Sequence, residues 1–416
     1  MAANATSRKI CGGWNSEKSG FAESHMKTCE ADKDMRETIL RNNAKYGIFS
    51  FFTGAGFLDL GFEDAGFVPM MANEIDKNFS RVYLYSHEQM KRPLPKFGLQ
   101  TGDVCAYLDE VAKQEELASR LRTAKEECHL VGFVGGPPCP DFSVAGKQAG
   151  STGRHGRLSQ IYIDLICANN PDFFVFENVK GLWKTAKHRA FFDGIVKQVK
   201  NAGYAVDYRL INALEYGAAQ DRERIILVGI KKFLCRGRVD MANERLVEFP
   251  WSDFICYSMD EIHAVNWPTT EPFAEDAVRD IPHGVPRELT VQGWFEKNDV
   301  EHHPNAEDYF IPRAGLVKMQ TFAEGDDSRK CYKRLHRWRY SPTAAYGNNE
   351  VHLHPYKARR MSVAETLAIQ SLPKDFVLPP DIPLSAKFKT IGNGVPYVAA
   401  KGIALTLKKF LEDIEK

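Results

Sequence analysis

The chain reads as an α/β protein with a doubly wound, mainly parallel sheet and a second, smaller, loop-rich domain. Three observations predict this. Apolar strand-like runs alternate with helical stretches from residue 46 to about 230, the pattern of β-α units feeding a parallel sheet. Glycine and proline clusters close the strand-like runs, as at Gly135-Gly136-Pro137-Pro138. Beyond about residue 250 the periodicity fades, and Pro, His, Trp and charged residues rise.

The elements follow in order. Residues 1–45 are polar and irregular, an N-terminal extension with a helix expected near 31–42. Ile48–Thr53 is a strand and Leu58–Ala65 opens a helix; Val68–Asn73 is the next strand, with a helix over about 77–90. Leu130–Val134, Phe173–Phe176, Tyr204–Ile211 and Ile225–Ile230 are further strands. Helical patterning returns at Val363–Gln370 and Val395–Leu411. The expected division is an extension over 1–45, a first domain over 46–250 completed by 390–416, and a smaller domain over 251–389.

Composition bounds the function. The chain has 416 residues, 44% of them hydrophobic, which suits a globular protein of two or three domains. No stretch approaches the roughly 20 apolar residues of a membrane span, and the N-terminus lacks a signal-peptide core, so a cytoplasmic location is expected. Nine cysteines with no C-x-x-C pair argue for scattered reduced thiols, and against a disulfide framework or a metal cluster. Net charge is only +1, so no global field announces a nucleic-acid partner. Residues 329–339 do carry six Lys/Arg among Tyr332, His336 and Trp338. That combination suits either phosphate contact and base stacking or a solvated charged face.

Two constellations carry chemistry. Phe52-Thr53-Gly54-Ala55-Gly56 follows the first strand and precedes a helix, where glycines let a ligand approach the backbone. Glu74, at the end of the next strand, can accept both hydroxyls of a ribose, with Ile75 beside it. Asp103, in Gly102-Asp103-Val104, suits an exocyclic amine. Together these describe an adenosine pocket, of NAD or of S-adenosylmethionine. The second constellation is nucleophilic. Cys139 follows two prolines on a stiff turn beyond a buried strand. Glu177 ends another strand, and Gln220-x-Arg222-x-Arg224 leads into a third. A thiol, a carboxyl group and alternating arginines at one sheet edge form a chemical set.

At these residues the sequence resembles the cytosine-5 DNA methyltransferase family, from about Phe51 to Ala404. The resemblance is carried, in family order, by FFTGAGFLDLGFEDAGF (51–67), GGPPCPDFSVAG (135–146), FENVKGL (176–182), QDRERIILVG (220–229), RRMSVAETLAIQSLP (359–373) and IGNGVP (391–396). Two departures stand out: Phe57 and Pro140 occupy positions where the family often has Gly and Gln. The resemblance implies a Rossmann-like methyltransferase fold using S-adenosylmethionine. It implies that Cys139 adds to carbon 6 of an extruded cytosine and that Glu177 bonds ring N3 and the exocyclic amine. Arg224 would hold the O2 side of the base, and Arg222 would support Glu177 or a phosphate. The cofactor pocket would comprise Phe52, Gly54, Ala55, Gly56, Glu74, Ile75, Asp103, Val104, Pro138, Asn393 and Val395. Ser143, Arg157, Gln220 and Thr343 would contact DNA. Residues 141–160 would close over the duplex, and the segment between Gly229 and Arg359 would read the target sequence.

The implied partners are double-stranded DNA and a cognate restriction endonuclease, with a monomeric, nucleoid-associated enzyme. Three rivals remain open at this point. A tRNA cytosine-5 methyltransferase would carry Cys-Phe-Thr where this chain has Cys256-Tyr257-Ser258. An NAD-dependent oxidoreductase would explain Gly54, Gly56 and Glu74 but leave Cys139, Glu177 and the arginines idle. A non-catalytic DNA-binding regulator would need neither Cys139 nor Glu177.

Overall fold

The computed structural model describes residues 46–138, 156–313, 315–329, 331–343, 346 and 352–416. The extension over 1–45, its helix at 31–42, Cys139, Ser143 and most of the 141–160 loop lie outside the described residues.

The first domain is a three-layer α/β/α sandwich. Its elements are β1 (Tyr46–Phe51), α1 (Phe57–Asp64), β2 (Val68–Glu74), α2 (Lys77–Gln89), β3 (Leu99–Thr101), α3 (Ala106–Asp109), α4 (Val111–Glu127), β4 (Leu130–Gly135), α5 (Gly156–Asn169), β5 (Phe173–Val179), α6 (Gly181–Lys184), α7 (Ala186–Asn201), β6 (Tyr204–Asn212), β7 (Glu223–Lys231), β8 (Val239–Asp240) and β9 (Arg245–Leu246). The strand order is β3-β2-β1-β4-β5-β7-β6-β9-β8. Strands β3 to β5 run parallel, and β7 enters antiparallel between β5 and β6. This is the doubly wound, mainly parallel sheet the sequence predicts. The chain turns outward in both directions from β1 and β4, and an open α/β sheet places its ligand crevice at such a reversal.

Packing explains the apolar runs. Every residue of β1 and β4 is buried, as expected for strands covered on both faces. One face packs α1 and the C-terminal helix against Ile48, Phe173, Val175, Ile226 and Val228. The other packs α4, α5 and α7 against Phe49, Phe51, Phe133 and Phe174. Two glycines are required in mid-sheet. A Cβ on Gly132 would stand 2.0 Å from the Phe173 ring, and one on Gly229 would stand 2.1 Å from the Phe174 ring. The paired rings of β5 lie across these positions on opposite faces of the sheet.

Among the described residues of 251–355 the helices and strands are short: α8 (Met259–Ala264), α9 (Val291–Lys297), α10 (Leu316–Gln320), β10 (Lys333–Arg334) and β11 (His352–Leu353). The basic-aromatic run at 329–339 is largely the interior of this region. Arg334, Leu335, His336, Arg337 and Trp338 are all buried. Arg334 donates to the carbonyls of Phe322, Met319, His354 and Lys357, and burial lowers its pKa to about 10. Arg337 forks onto Glu324 at 2.8 and 2.9 Å. Lacking regular structure, the region satisfies its turn carbonyls with arginine side chains, so most of the run holds the fold together.

Three helices complete the chain: α11 (Val363–Ile369), α12 (Leu384–Asn393) and α13 (Tyr397–Glu415). Helix α11 presents Val363 and Leu367 to Phe57, Leu60 and Val82 of the first domain. Its other face presents Ala364 and Ala368 to Trp294 and Phe295. The expected junction at 389–390 therefore falls inside α12. Among the described cysteines, Cys105, Cys128, Cys167 and Cys235 are free thiols, whereas Cys256 is disulfide-bonded, a departure from the all-thiol expectation.

Candidate active site

The carboxyl edge of the sheet collects both constellations. Parallel β1, β2, β3, β4 and β5 all end there, and antiparallel β7 begins there. Val179 of β5 pairs with Arg224 of β7, and Glu177 with Ile226. Residues far apart in sequence thus meet at one rim.

The cofactor side is a set of bridged strand ends. Phe52, Gly54 and Gly56 have φ of 56°, 59° and 82°, so the loop winds through left-handed backbone that favours glycine. A Cβ on Gly54 or Gly102 would meet nothing within 4 Å, leaving room above the backbone. Glu74 is buried, and its carboxyl takes the Gly54 and Asp76 amides, both at 2.8 Å. Burial raises its pKa against those hydrogen bonds. The Gly102 amide donates to the Glu74 carbonyl at 3.0 Å, which joins the third strand end to the second. Beside this rim Ile75 is 62% exposed, a bare apolar side chain next to a carboxylate. Asp103 and Asn393 are exposed, whereas Val104, Val395 and Ala55 are buried beneath. Asp103 also accepts the Cys105 amide at 3.0 Å. Open glycine backbone, a carboxylate for two hydroxyls and an exposed apolar side chain fit the adenosyl part of S-adenosylmethionine.

The loop rests on groups that sequence reasoning missed. Asp59, in the first turn of α1, is 1% exposed. It accepts the Ser50 hydroxyl at 2.6 Å and also the Thr53 hydroxyl. Burial pushes its carboxyl up to about 6. A Cβ on Gly56 would meet the Tyr83 ring at 2.7 Å, so the loop lies directly on that ring. The only sequence signal for Asp59 was an acid on an otherwise apolar helix face.

The chemical side centres on Glu177, which is 7% exposed. A Cβ on Gly136 would stand 2.6 Å from Glu177 Oε2, so the carboxyl group lies against the chain three residues before Cys139. The Asn178 amide holds the same turn, donating to Pro137 O and Ser159 Oγ at 3.3 Å each. Pro138 is exposed at the end of that turn. The direct ion pair to Glu177 comes from Arg224, Nε to Oε1 at 2.9 Å. The sequence reading had Arg222 support Glu177 or a phosphate. Arg222 is 2% exposed and instead donates to Gly392 O at 2.9 Å and Gln220 Oε1 at 3.4 Å. Burial raises the Glu177 pKa against the opposing pull of Arg224 and Arg222.

The expected DNA contacts separate. Gln220 is fully buried, with its amide toward Ile369 O at 3.5 Å and Gln370 Oε1 at 3.4 Å. It joins the start of β7 to the end of α11 from a buried position, where an exposed DNA contact was expected. Thr343 is exposed, its hydroxyl on Asp221 O at 2.5 Å, beside the arginine strand. Arg157 is exposed in the first turn of α5. Its charge reaches the Cys105 thiol, where burial dominates and raises the pKa to about 11.

Comparisons with known proteins give the family. The model of the C-5 cytosine-specific DNA methylase family matches residues 46–409. The chain belongs to that family. It is 54% identical over 389 residues to the Type II methyltransferase M.NmeDI of Neisseria meningitidis serogroup C, spanning 93% of this chain and 88% of that one. It is 30% identical to M.FnuDI of Fusobacterium nucleatum, over 89% of this chain and 96% of that one. In fold it resembles the S. pombe Dnmt2 methyltransferase, with a TM-score of 0.55 at 12% identity, covering 88% of this chain and 99% of that one. The protein is a DNA (cytosine-5)-methyltransferase that uses S-adenosylmethionine. The tRNA, oxidoreductase and regulator readings fall away. Among the described residues no helix is long and apolar enough to cross a membrane.

Proposed function

We propose that this methyltransferase works by covalent catalysis through Cys139 and Glu177, on a cytosine flipped from a specific duplex site. The observation that carries the reading is the contact of the Glu177 carboxyl with Gly136, at the base of the turn that leads to Cys139.

The residues then divide the work. The Cys139 thiolate adds to carbon 6, and its electron pair enters the ring. Glu177, its pKa raised by burial, would donate to N3 and accept from the exocyclic amine. Arg224 holds the Glu177 carboxyl at 2.9 Å and so fixes its direction. Bound S-adenosylmethionine supplies an electrophilic methyl group. Carbon 5, now enamine-like, would take that methyl group as its bond to the sulfonium sulfur breaks and a neutral thioether leaves. Loss of the carbon-5 proton and expulsion of the Cys139 sulfur restore the aromatic ring. Phe52, Gly54, Ala55, Gly56, Glu74, Ile75, Asp103, Val104, Pro138, Asn393 and Val395 would line the cofactor pocket. Glu74 would take the ribose hydroxyls and Ile75 the adenine face.

Carbon 5 is out of reach in a stacked helix, so the base leaves the duplex at a cost of a few kcal/mol. Residues 251–389 would read the target, with Ser143, Arg157 and Thr343 on the backbone. Likeness to Type II methyltransferases favours a monomer paired with a restriction endonuclease for the same site. Duplex DNA carrying 5-fluorocytosine tests the mechanism, because fluorine cannot leave as a proton would. A denaturation-stable complex is expected from the parent protein and none from Cys139→Ser. A variant that methylates DNA at the parent rate refutes the covalent step.

A further inference from the structure

Phe57 stands at the first position of α1, directly after the cofactor loop, and is 2% exposed. Its ring meets Phe376 edge-on, with centroids 5.2 Å apart. It also lies across Gly394: a Cβ there would stand 2.1 Å from Phe57 Cδ2 and 2.5 Å from Cε2. No real Cβ tolerates such a contact, and Phe376 blocks the ring from turning aside. Gly394 is therefore required by the ring, and its backbone φ of −67° asks for no glycine.

The segment pressed against Phe57 is held from the opposite side as well. Arg222 Nη2 donates to Gly392 O at 2.9 Å, and Gln370 Nε2 donates to Ile391 O at 2.6 Å. Arg222 lies two residues before Arg224, whose guanidinium grips Glu177. Residues 391–394 thus touch the cofactor loop through one aromatic contact and the base-side arginines through one hydrogen bond. Exposed Asn393 sits between the two contacts.

We propose that Phe57 and Gly394 form an interlocking pair of positioning residues that seats the 391–394 segment on the cofactor loop, setting S-adenosylmethionine affinity and its alignment with the base pocket. This rests on the placement of the cofactor at the Gly54–Glu74 rim, and one control separates the two ideas.

The test is a double-mutant cycle of Gly394→Ala, Phe57→Ala and the double variant. It reads cofactor dissociation by equilibrium binding, KM for cofactor and for DNA, and the melting temperature. Gly394→Ala is expected to weaken cofactor binding at least tenfold and leave DNA affinity within twofold. Phe57→Ala is expected to weaken cofactor binding about threefold or more. The double variant is expected to recover most of the Gly394→Ala loss, because the smaller side chain admits the new methyl group. If Gly394→Ala does not fold, Phe57→Ala and the double variant decide alone: a cofactor KM at the parent value in Phe57→Ala, or a double variant that does not fold either, sinks the pair. Additive losses in the cycle also overturn it. Glu74→Ala is the control. If it abolishes cofactor binding while the cycle shows no coupling, the pair fails and the pocket stands; if it binds like the parent, the pocket itself is misplaced.

Discussion

Asp59→Asn separates the charge of a buried carboxylate from its shape. Asp59 is 1% exposed and holds the Ser50 and Thr53 hydroxyls beneath the cofactor loop. Burial is the largest influence on it, and Glu63 adds to the shift, while the two hydroxyls and His87 oppose it. The result is a carboxyl raised from 3.8 to about 6. The folded chain therefore binds this proton more tightly than the unfolded chain does. The stability so gained is complete below about pH 4 and lost as pH rises through about 6. At 1.36 kcal/mol per unit, the charged form costs the fold ~3 kcal/mol at neutral pH. Asparagine removes that charge. Its carbonyl still accepts one hydroxyl, and its amide can donate to the other. The variant is expected to be about 1–3 kcal/mol more stable than the parent near pH 7.5, with the gap closing toward pH 4. Urea unfolding of both proteins across that range measures the difference, in which the other titrating groups cancel. A gap that does not change with pH, or a variant less stable at neutral pH, would refute the reasoning.

Other outcomes follow from the same geometry. Glu177→Gln keeps an amide donor toward N3 but cannot share a proton with it, so kcat is expected to fall by roughly a hundredfold or more; steady-state methylation checks this, with cofactor dissociation unchanged. Gly61→Ala would place a Cβ 2.6 Å from both the Ala400 Cβ and the Lys401 backbone nitrogen, at the α1–α13 contact. Backbone there cannot yield locally, so a loss of about 1–3 kcal/mol in stability is expected in urea unfolding, with cofactor affinity retained.

How much was legible in the sequence depends on how local each signal was. Strand cores showed because strands covered on both faces are apolar throughout, and their ends were read within a few residues. Glu177 and the two arginines showed because each sits at the mouth of an apolar run. The roles within that group did not show. Alternation along a strand says that Arg222 and Arg224 share a side, not which of them reaches Glu177. Gln220 belonged to the same motif, yet its amide is spent inside the protein on α11. The run at 329–339 misled most, because a buried arginine that satisfies carbonyls has the same letters as one facing water.

Sequence alone determined most of the strand cores in chain order, the glycine and proline turn before Cys139, and the kind of cofactor a glycine loop and a spaced carboxylate accept. These are short-range matters, set by periodicity and by backbone freedom at single residues. Tertiary structure alone decided what long-range contact governs. It put Glu177 against Gly136, gave the ion pair to Arg224 and turned Gln220 inward. It also made Gly394 answer to a phenylalanine more than three hundred residues away. The physical reason is that a side chain's charge, exposure and freedom depend on which distant elements the sheet draws to its edge, and no local window of residues contains them.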